Sequence, residues 1–335
     1  MPDRPASTEP PSPDRPPRVS VVVPAWNAAA TLGGCLDSLL ALRFPREEME
    51  IVVVDNASTD GTAALLDRYR GRVRAFHEAR RGPSAARNRG LRHARGELVA
   101  FTDADCVVEA DWLSLLIQPL EDPQVGIVGG RILPTTPYNT IEAFGTEIHD
   151  HRASITQFDP PYVITMNWAS RRSDLLSAGG FDESLRRGED VDLTYRILAR
   201  GLRLAYVPEA IVRHRNERTL RGLFAEGWAH GYHSIAVNRK HEAFVKRGKA
   251  HRGWRRVVFW RVFGTGKLLG KLAGRIGFAV ASARAARREN DAAARVGQPT
   301  AAARPIPGGG RSAPGPDGGI AADPRSPAAA TPPSP

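Results

Sequence analysis

Short apolar runs alternate with helix-patterned segments along the first third of the chain, and this alternation constrains the fold more than any other feature. Continuous apolar runs are typical of strands buried in a parallel sheet, and they occur at residues 19–24 and 51–55. A third and a fourth strand are predicted at residues 73–77 and 98–102. The segments between them have helical spacing, which predicts βαβ units with right-handed crossovers. We therefore expect an α/β fold in which a mostly parallel sheet is flanked by helices.

Two acids follow the fourth predicted strand with one residue between them. Side chains alternate faces along a strand, so Asp103 and Asp105 should lie on the same side at its end. Asn27 and Asp55 follow two other strands, and ligands of such sheets bind at the carboxyl ends of the strands. Two carboxylates held this close need a cation, and Mg²⁺ or Mn²⁺ is the natural partner. The alternative is a loop in which both acids are solvated or cap the next helix.

Eight short motifs follow one another along the chain. The first five are VVVPAWN at residues 21–27, VDNASTDGT at 54–62, GPSAARNRG at 82–90, ARGE at 94–97 and FTDAD at 101–105. The last three are GGFDE at 179–183, GEDVDL at 188–193 and VRH at 212–214. In this order and spacing they resemble the successive motifs of family 2 glycosyltransferases.

This resemblance implies a nucleotide-sugar-binding fold of the glycosyltransferase A type. It also implies a metal-dependent, usually inverting, transfer of a sugar to an acceptor hydroxyl. The donor would be a nucleoside diphosphate sugar, the cofactor would be Mg²⁺ or Mn²⁺, and the acceptor would be a glycan or a lipid-linked molecule.

The resemblance also assigns roles to individual positions. The residues expected to border the base and ribose of the donor are Pro24, Ala25, Trp26 and Asp55. Asp105 would contact the metal most directly, Asp103 would lie nearer the ribose or an outer-shell water, and His214 would add a metal or phosphate contact. Asp190 would be the general base, while its neighbour Asp192 should cap a helix or bind Arg196.

Several further side chains have two interpretations. Arg87 either packs against the sheet or touches the donor phosphates, and we predict that it is a donor contact. Glu189 either orients Asp190, pairs with Arg187 or reaches the acceptor. Asn167 and Trp168 are predicted acceptor contacts, because an aromatic face beside an amide suits a sugar ring. The histidines without a visible carboxylate or cysteine partner are predicted to be solvated or structural, and they are His149, His151, His230 and His233.

The net charge of +11 is concentrated after Arg213. A basic tail beside a nearly balanced core indicates an attachment surface, so no nucleic acid is expected as a partner. Residues 252–288 place apolar side chains on one helical stripe with basic ones opposite, a pattern that favours an anionic membrane surface. Packing of the same stripe onto the core is the alternative.

The composition of the ends separates them from the core. Residues 1–17 and 291–335 are rich in Pro, Ala, Gly and Ser and are predicted to be disordered. Residues 18–222 are the predicted catalytic domain and 223–290 a basic helical extension.

The two cysteines form no Cys-x-x-Cys pair, and no signal peptide or spanning segment is visible. We therefore expect a cytoplasmic protein, peripheral at the inner face of the membrane if the basic stripe binds lipid.

Two other functions compete with sugar transfer. A nucleotidyltransferase of similar architecture would carry a Gly-rich signature and an activating lysine near the first strand, and residues 25–34 contain no lysine. A basic nucleic-acid-binding protein with a degenerate transferase core is the other alternative. The four acids at motif positions argue against degeneration, and they are Asp55, Asp103, Asp105 and Asp190.

Overall fold

The computed structural model of the chain describes residues 16–136, 138–242, 264–269, 271–273, 275, 282 and 284. The strands of its sheet are β1 (Val19–Ala25), β2 (Met49–Asp55), β3 (Arg74–His77), β4 (Leu98–Phe101), β5 (Cys106–Val108), β6 (Val125–Pro134), β7 (Trp168–Arg171) and β8 (Arg203–His214). They form one sheet in the order β3-β2-β1-β4-β7-β6-β8-β5.

Helices follow most of the strands. They are α1 (Leu32–Leu40), α2 (Thr62–Asp67), α3 (Pro83–His93), α4 (Trp112–Ile117), α5 (Thr140–Ile148), α6 (His151–Thr156), α7 (Arg172–Ser177), α8 (Glu189–Leu198) and α9 (Leu220–Lys240). α5 and α6 are separate helices, because the Asp150 side chain accepts from Ala153 N and starts α6.

The predicted parallel strands are confirmed in the first half of the sheet. β1 lies between β2 and β4 and pairs parallel with both, and β2 pairs parallel with β3. β1 and β2 are buried on both faces, which explains their continuous apolar runs. Gly90 brings α3 against this half, because a β-carbon there would overlap the Val22 side chain. The close approach fixes α3, and with it Arg87, over the sheet.

The second half of the sheet departs from the expected parallel pattern. β7 pairs antiparallel with both β4 and β6, and β5 pairs antiparallel with β8, while β6 and β8 are parallel. The sheet is therefore mixed, although the α/β class is as predicted. The antiparallel β7 is held between two strands and is almost completely buried.

The chain beyond β8 continues in α9. The predicted domain boundary after residue 222 falls inside this helix, and the division into domains stays a prediction. Residues 264–269 are helical and contact α9, since a β-carbon at Gly231 would overlap the Lys267 carbonyl oxygen. Most of the predicted stripe at 252–288 and both predicted disordered ends fall outside the described residues. Within the described part of the chain, no helix combines the length and apolarity needed to cross a membrane.

Candidate active site

A cleft of about 1280 Å³ opens at the carboxyl ends of β1 and β4, where the sequence predicts a ligand site. The predicted site residues that line it are Pro24, Ala25, Trp26, Arg87, Asp103, Asp105, Glu189 and Asp190. Asp55 and His214 lie behind this lining, in contact with residues of the same loops and strands. The structure thus brings together side chains from β1, α3, the β4–β5 turn and α8.

Trp26 forms an open aromatic surface at the edge of the cleft. It directly follows β1, and 57% of its surface is exposed. The guanidinium carbon of Arg81 lies 5.8 Å from the ring centroid, on the same side of the cleft. An exposed indole beside a cation is suited to stacking on a nucleobase near an anionic group.

The loops after β1 and β2 are bonded to each other. Asn27 has a φ of +49° and its Oδ1 accepts from Thr59 N at 2.8 Å. Asp55 is 8% exposed, and its Oδ1 accepts from Ser58 N at 3.1 Å. A left-handed conformation at a non-glycine residue persists only where surrounding contacts enforce it. Asp55 therefore shapes the loop beneath the cleft, and its contact with the donor base stays a prediction.

Arg87 joins the two acidic segments of the cleft. Its Nη2 donates to Asp103 Oδ1 at 2.8 Å and its Nη1 donates to Glu189 Oε1 at 2.7 Å. Burial opposes the charge on Arg87, but the two carboxylates raise its pKa. Burial raises the pKa of the Glu189 carboxyl, against the effect of the Arg87 charge. The partner of Glu189 is thus Arg87, and the ion pair predicted with Arg187 is wrong. Contacts of Arg87 with the donor and of Glu189 with the acceptor stay predictions.

Asp105 meets His214 because of the register of the sheet edge. Cys106, the first residue of β5, lies opposite His214 at the end of β8. The preceding residue, Asp105, consequently places its Oδ2 at 3.4 Å from His214 Nε2. Burial opposes the charge on His214, but the contact with Asp105 raises the pKa of His214 to about 9.

The pair formed by Asp105 and His214 fits a divalent cation. Nδ1 of His214 faces Asn216 Oδ1 at 2.8 Å, while Nε2 faces Asp105. Both neighbours are acceptors, so the ring needs either a second proton or a cation beside Nε2. A carboxylate oxygen and an imidazole nitrogen are donors that Mn²⁺ accepts. Asp103 is paired with Arg87, whereas Asp105 faces His214.

Asp190 enters the cleft from the first turn of α8. The turn before it uses Gly188, whose φ of +80° is in the region that favours glycine. Asp190 Oδ2 lies 3.4 Å from both N and Oγ1 of Thr165, and its Oδ1 accepts from Val191 N at 2.8 Å. A carboxylate from α8 therefore lines the same cleft as the ends of β1 and β4.

Asp192 has the structural role predicted for it. Its side chain is fully buried and Oδ2 accepts from Arg196 Nη2 at 2.6 Å. Oδ1 lies 2.7 Å from Lys240 Nζ and 2.8 Å from His241 Nε2. Asp192 thus fixes α8 to the end of α9, while Asp190 faces the cleft.

Two predicted acceptor contacts are wrong. Asn167 and Trp168 have no exposed surface. Asn167 Oδ1 accepts from Trp112 Nε1 at 2.8 Å, and its Nδ2 donates to the carbonyl oxygens of Arg131 and Ala210. Trp168 begins the buried β7 and stacks on a core phenylalanine. The side chains that suggested sugar binding instead hold the centre of the sheet.

The histidines divide into two groups. His151 is structural, as predicted: its Nδ1 donates to Gly130 O, its Nε2 accepts from Ile164 N, and burial lowers its pKa to about 3. His149 and His230, in contrast, share the carboxylate of Glu226, so the expectation that they have no acidic partner is wrong. Glu226 and Asn216 are the polar residues that sequence reasoning missed.

Comparison with known proteins identifies the family to which this fold and cleft belong. Residues 20–176 match the sequence family described as Glycosyl transferase family 2. Residues 20–176 of the chain belong to glycosyltransferase family 2. They run from β1 to α7 and include the Asp103 and Asp105 pair. The predicted resemblance to family 2 glycosyltransferases is confirmed.

Relatives of this family 2 glycosyltransferase carry different names. The chain is 30% identical over 274 residues to the pre-mycofactocin glycosyltransferase of Mycobacterium tuberculosis, covering 76% of this chain and 54% of the relative. It is 28% identical over 203 residues to glycosyltransferase AglE of Haloferax volcanii, covering 59% of this chain and 67% of the relative. The chain thus spans about half the length of its mycobacterial relative.

A solved structure supports the fold of this family 2 glycosyltransferase. The mannosyltransferase PcManGT from Pyrobaculum calidifontis, solved with GDP-Man and Mn²⁺, is similar with a TM-score of 0.57 and 26% identity. The match covers 83% of this chain and 78% of the mannosyltransferase. The expected glycosyltransferase A type of fold is therefore confirmed.

Proposed function

We propose that the chain transfers a sugar from a nucleoside diphosphate sugar to an acceptor hydroxyl, with inversion and with a divalent cation. The observation that supports this proposal most strongly is one cleft lined by an exposed indole, a carboxylate beside a histidine, and a second carboxylate at the start of α8. The similar mannosyltransferase was solved with a nucleotide sugar and Mn²⁺, which supports this choice of donor and cation. The acceptor is proposed to be a glycan or a lipid-linked molecule.

The donor is proposed to lie along the ends of β1 and β4. Its base would stack on Trp26, next to the backbone of Pro24 and Ala25, and its ribose would face Asp103. Arg87 holds Asp103 in place, because its two terminal nitrogens are bonded to the carboxylates of Asp103 and Glu189. The donor contacts are thus supported by a rigid, prearranged wall.

The cation would be held by Asp105 and His214. When bound, Mg²⁺ or Mn²⁺ would neutralise the charge that develops on the departing diphosphate. The protein would contribute a preformed site for this cation. The pairing of β5 with β8 positions Asp105 and His214, and Asn216 holds the imidazole ring.

Asp190 is proposed to take the proton of the acceptor hydroxyl. A hydroxyl is a weak nucleophile until its proton is removed, and a single displacement needs the base on the face opposite the leaving group. Asp190 lies on α8 and lines the same cleft as the strand ends. Thr165 lies beside its Oδ2 and restricts its orientation.

A donor panel tests the proposed reaction. We expect the full-length chain with Mn²⁺ to bind and slowly hydrolyse at least one member of a panel of UDP-, GDP- and TDP-sugars. Replacing Trp26 with alanine should weaken binding of that donor about fivefold, since stacking contributes about 1 kcal/mol. Calorimetric titration measures the affinity, and release of the nucleoside diphosphate measures hydrolysis.

A matched control for Trp26→Ala is Trp228→Ala. Trp228 is also exposed, but it lies on α9 outside the cleft lining. Its replacement should leave donor affinity unchanged. If no sugar nucleotide binds to the chain, the proposed function is wrong. If both tryptophan variants bind equally well, only the assignment of Trp26 is wrong.

We further propose that the protein attaches to anionic membranes through the segment after α9. Leu268, Leu269 and Leu272 are exposed, and Lys271 and Arg275 lie in the same segment. Exposed leucines among basic side chains match a surface of anionic headgroups. This attachment would bring the cleft close to a lipid-linked acceptor.

Sedimentation with vesicles tests the attachment. We expect the full-length chain to bind vesicles that contain anionic lipid at low salt, and to remain free with neutral vesicles. The double variant Leu268→Asp, Leu272→Asp should lose most of this binding, because the inserted apolar area is replaced by charge. Leu176→Asp is the control, since Leu176 is an exposed leucine on α7. Equal binding by the double variant and the control would contradict the proposal.

A further inference from the structure

Three side chains outside the Asp105–His214 pair converge on one wall of the cleft. His149 caps the C-terminal end of α5, while Glu226 and His230 lie one turn apart on the same face of α9. Nε2 of His149 is 3.2 Å from Glu226 Oε1, and Nε2 of His230 is 3.8 Å from the same oxygen. The three potential ligand atoms all lie within 4.8 Å of one another.

Asn216 determines which nitrogen of His149 carries a proton. Its Nδ2 donates to the carbonyl oxygen of Glu142 at 2.8 Å, so its Oδ1 faces the histidines. That oxygen can only accept, and it lies 3.2 Å from His149 Nδ1 and 2.8 Å from His214 Nδ1. Both rings therefore carry a proton on Nδ1 and direct Nε2 away from Asn216.

The imidazole rings of His149 and His214 each place Nε2 against a carboxylate. Nε2 of His214 points at Asp105, and Nε2 of His149 points at Glu226. A neutral ring would place a nitrogen lone pair against a carboxylate oxygen, which is unfavourable. Only a second proton or a cation between the two groups resolves this contact. At Asp105 and His214, the proposed donor cation has that role.

A shared cation suits Glu226 better than two protons do. Protonation of both His149 and His230 would place two positive charges on neighbouring rings, whereas one divalent ion binds both lone pairs together. Bonds of about 2.1 Å place the donors of a tetrahedral ion about 3.4 Å apart, close to the two contacts of Glu226. The Glu226 side chain is 11% exposed, and the same oxygen of it faces both histidines.

We propose that His149, Glu226 and His230 form a second cation site, of the class that binds Zn²⁺. Two imidazoles and one carboxylate are a common zinc donor set, whereas Mg²⁺ prefers oxygen ligands. His149 and His230 line the cleft, so the fourth coordination position faces it. The ion joins the end of α5 to α9 and holds that wall of the cleft in place. Asn216 orients one ligand of each cation site.

Metal retention by the full-length protein tests this site. In the presence of millimolar Mg²⁺, added to compete at the Asp105–His214 site, we expect the protein to retain one equivalent of Zn²⁺ after dialysis. Co²⁺ in place of Zn²⁺ should give the visible absorption of a tetrahedral ion. His230→Ala and Glu226→Gln should each lower the Zn²⁺ affinity by about 100-fold or more, because each removes a direct ligand. Competition with a chelator measures the affinity.

Two further variants examine the geometry. His233→Ala is the matched control, because His233 lies on α9 outside the cluster, and it should bind Zn²⁺ as the unmodified chain does. Gly145→Ala should weaken Zn²⁺ binding about 10- to 100-fold, since its β-carbon would displace Asn216, which orients His149. Circular dichroism shows whether each variant is folded.

Three results would overturn the second site. The first is failure of the unmodified chain to retain Zn²⁺ in the presence of Mg²⁺. The second is retention that is equal in His230→Ala, Glu226→Gln and the His233→Ala control. The third is complete loss of Zn²⁺ in Asp105→Asn, because that result would place the ion at the acid pair. None of these results depends on whether the chain transfers a sugar.

Discussion

Replacement of Asp190 with asparagine is expected to lower the rate of sugar transfer by about 10²- to 10⁴-fold, the usual contribution of a general base. Asparagine keeps the size of the side chain and its contacts with Thr165 but cannot accept the acceptor proton. Donor affinity should change little, because Asp190 is not among the proposed donor contacts. Donor titration and the transfer rate at saturating donor measure the two effects separately.

Asp192→Asn is the matched comparison for Asp190→Asn. Asp192 is two residues further along α8, fully buried and bonded to Arg196, Lys240 and His241. Loss of its charge should lower the free energy of unfolding by about 3 kcal/mol, since the basic partners lose their counterion. Transfer by the folded fraction should stay within a few-fold of normal. Near-normal transfer by Asp190→Asn would end the assignment of the base.

Replacement of Asp105 with asparagine is expected to abolish cation-dependent turnover, with a loss of at least about 10²-fold. The substitution removes the charge that faces His214 Nε2 and leaves one weak oxygen donor for the cation. Binding of Mn²⁺ in the presence of a nucleoside diphosphate should weaken in parallel. Electron paramagnetic resonance of free Mn²⁺ measures that binding directly.

Asp103→Asn is the matched comparison for Asp105→Asn. It shows whether the effect of Asp105→Asn comes from loss of the cation or from loss of any negative charge in the β4–β5 turn. Asp103 is paired with Arg87, so its replacement should weaken donor binding while Mn²⁺ dependence persists. The Asp105 and His214 pair is untouched in this variant. Full turnover of the unmodified chain in EDTA would contradict the role of a cation.

The first half of the fold follows from the sequence because its strands are buried on both faces. Burial of this kind produces continuous apolar runs, and β1, β2 and β4 begin and end within two residues of the predicted bounds. The three-residue β5 gives no such signal, and its pairing with β8 depends on a contact between residues far apart in the chain. The pairing of Asp105 with His214 was therefore expected only from the family resemblance, and the register of the sheet explains it.

The errors concern polar residues whose partners are distant in sequence. Asn167 looks like a ligand contact, but Gly130 leaves room for its side chain in the sheet, where a β-carbon would lie 2.6 Å from Asn167 Nδ2. Glu226 follows His149 by many residues and precedes His230 by one helical turn, so only the packing of α9 against α5 reveals the cluster. Sequence periodicity records which face is buried, but it carries no information on such long-range pairs.

The strand that positions Asp105 is also the outermost strand of the sheet. β5 has three residues and one neighbour, β8, so it is held by fewer backbone hydrogen bonds than β1 or β4. Edge segments open locally at a smaller free-energy cost than the centre of a sheet. Such an opening separates Asp105 from His214 while β1 and Trp26 stay in place. A cation bound by both residues therefore stabilises the pairing of β5 with β8. Its binding free energy adds to the free energy needed to open this edge locally.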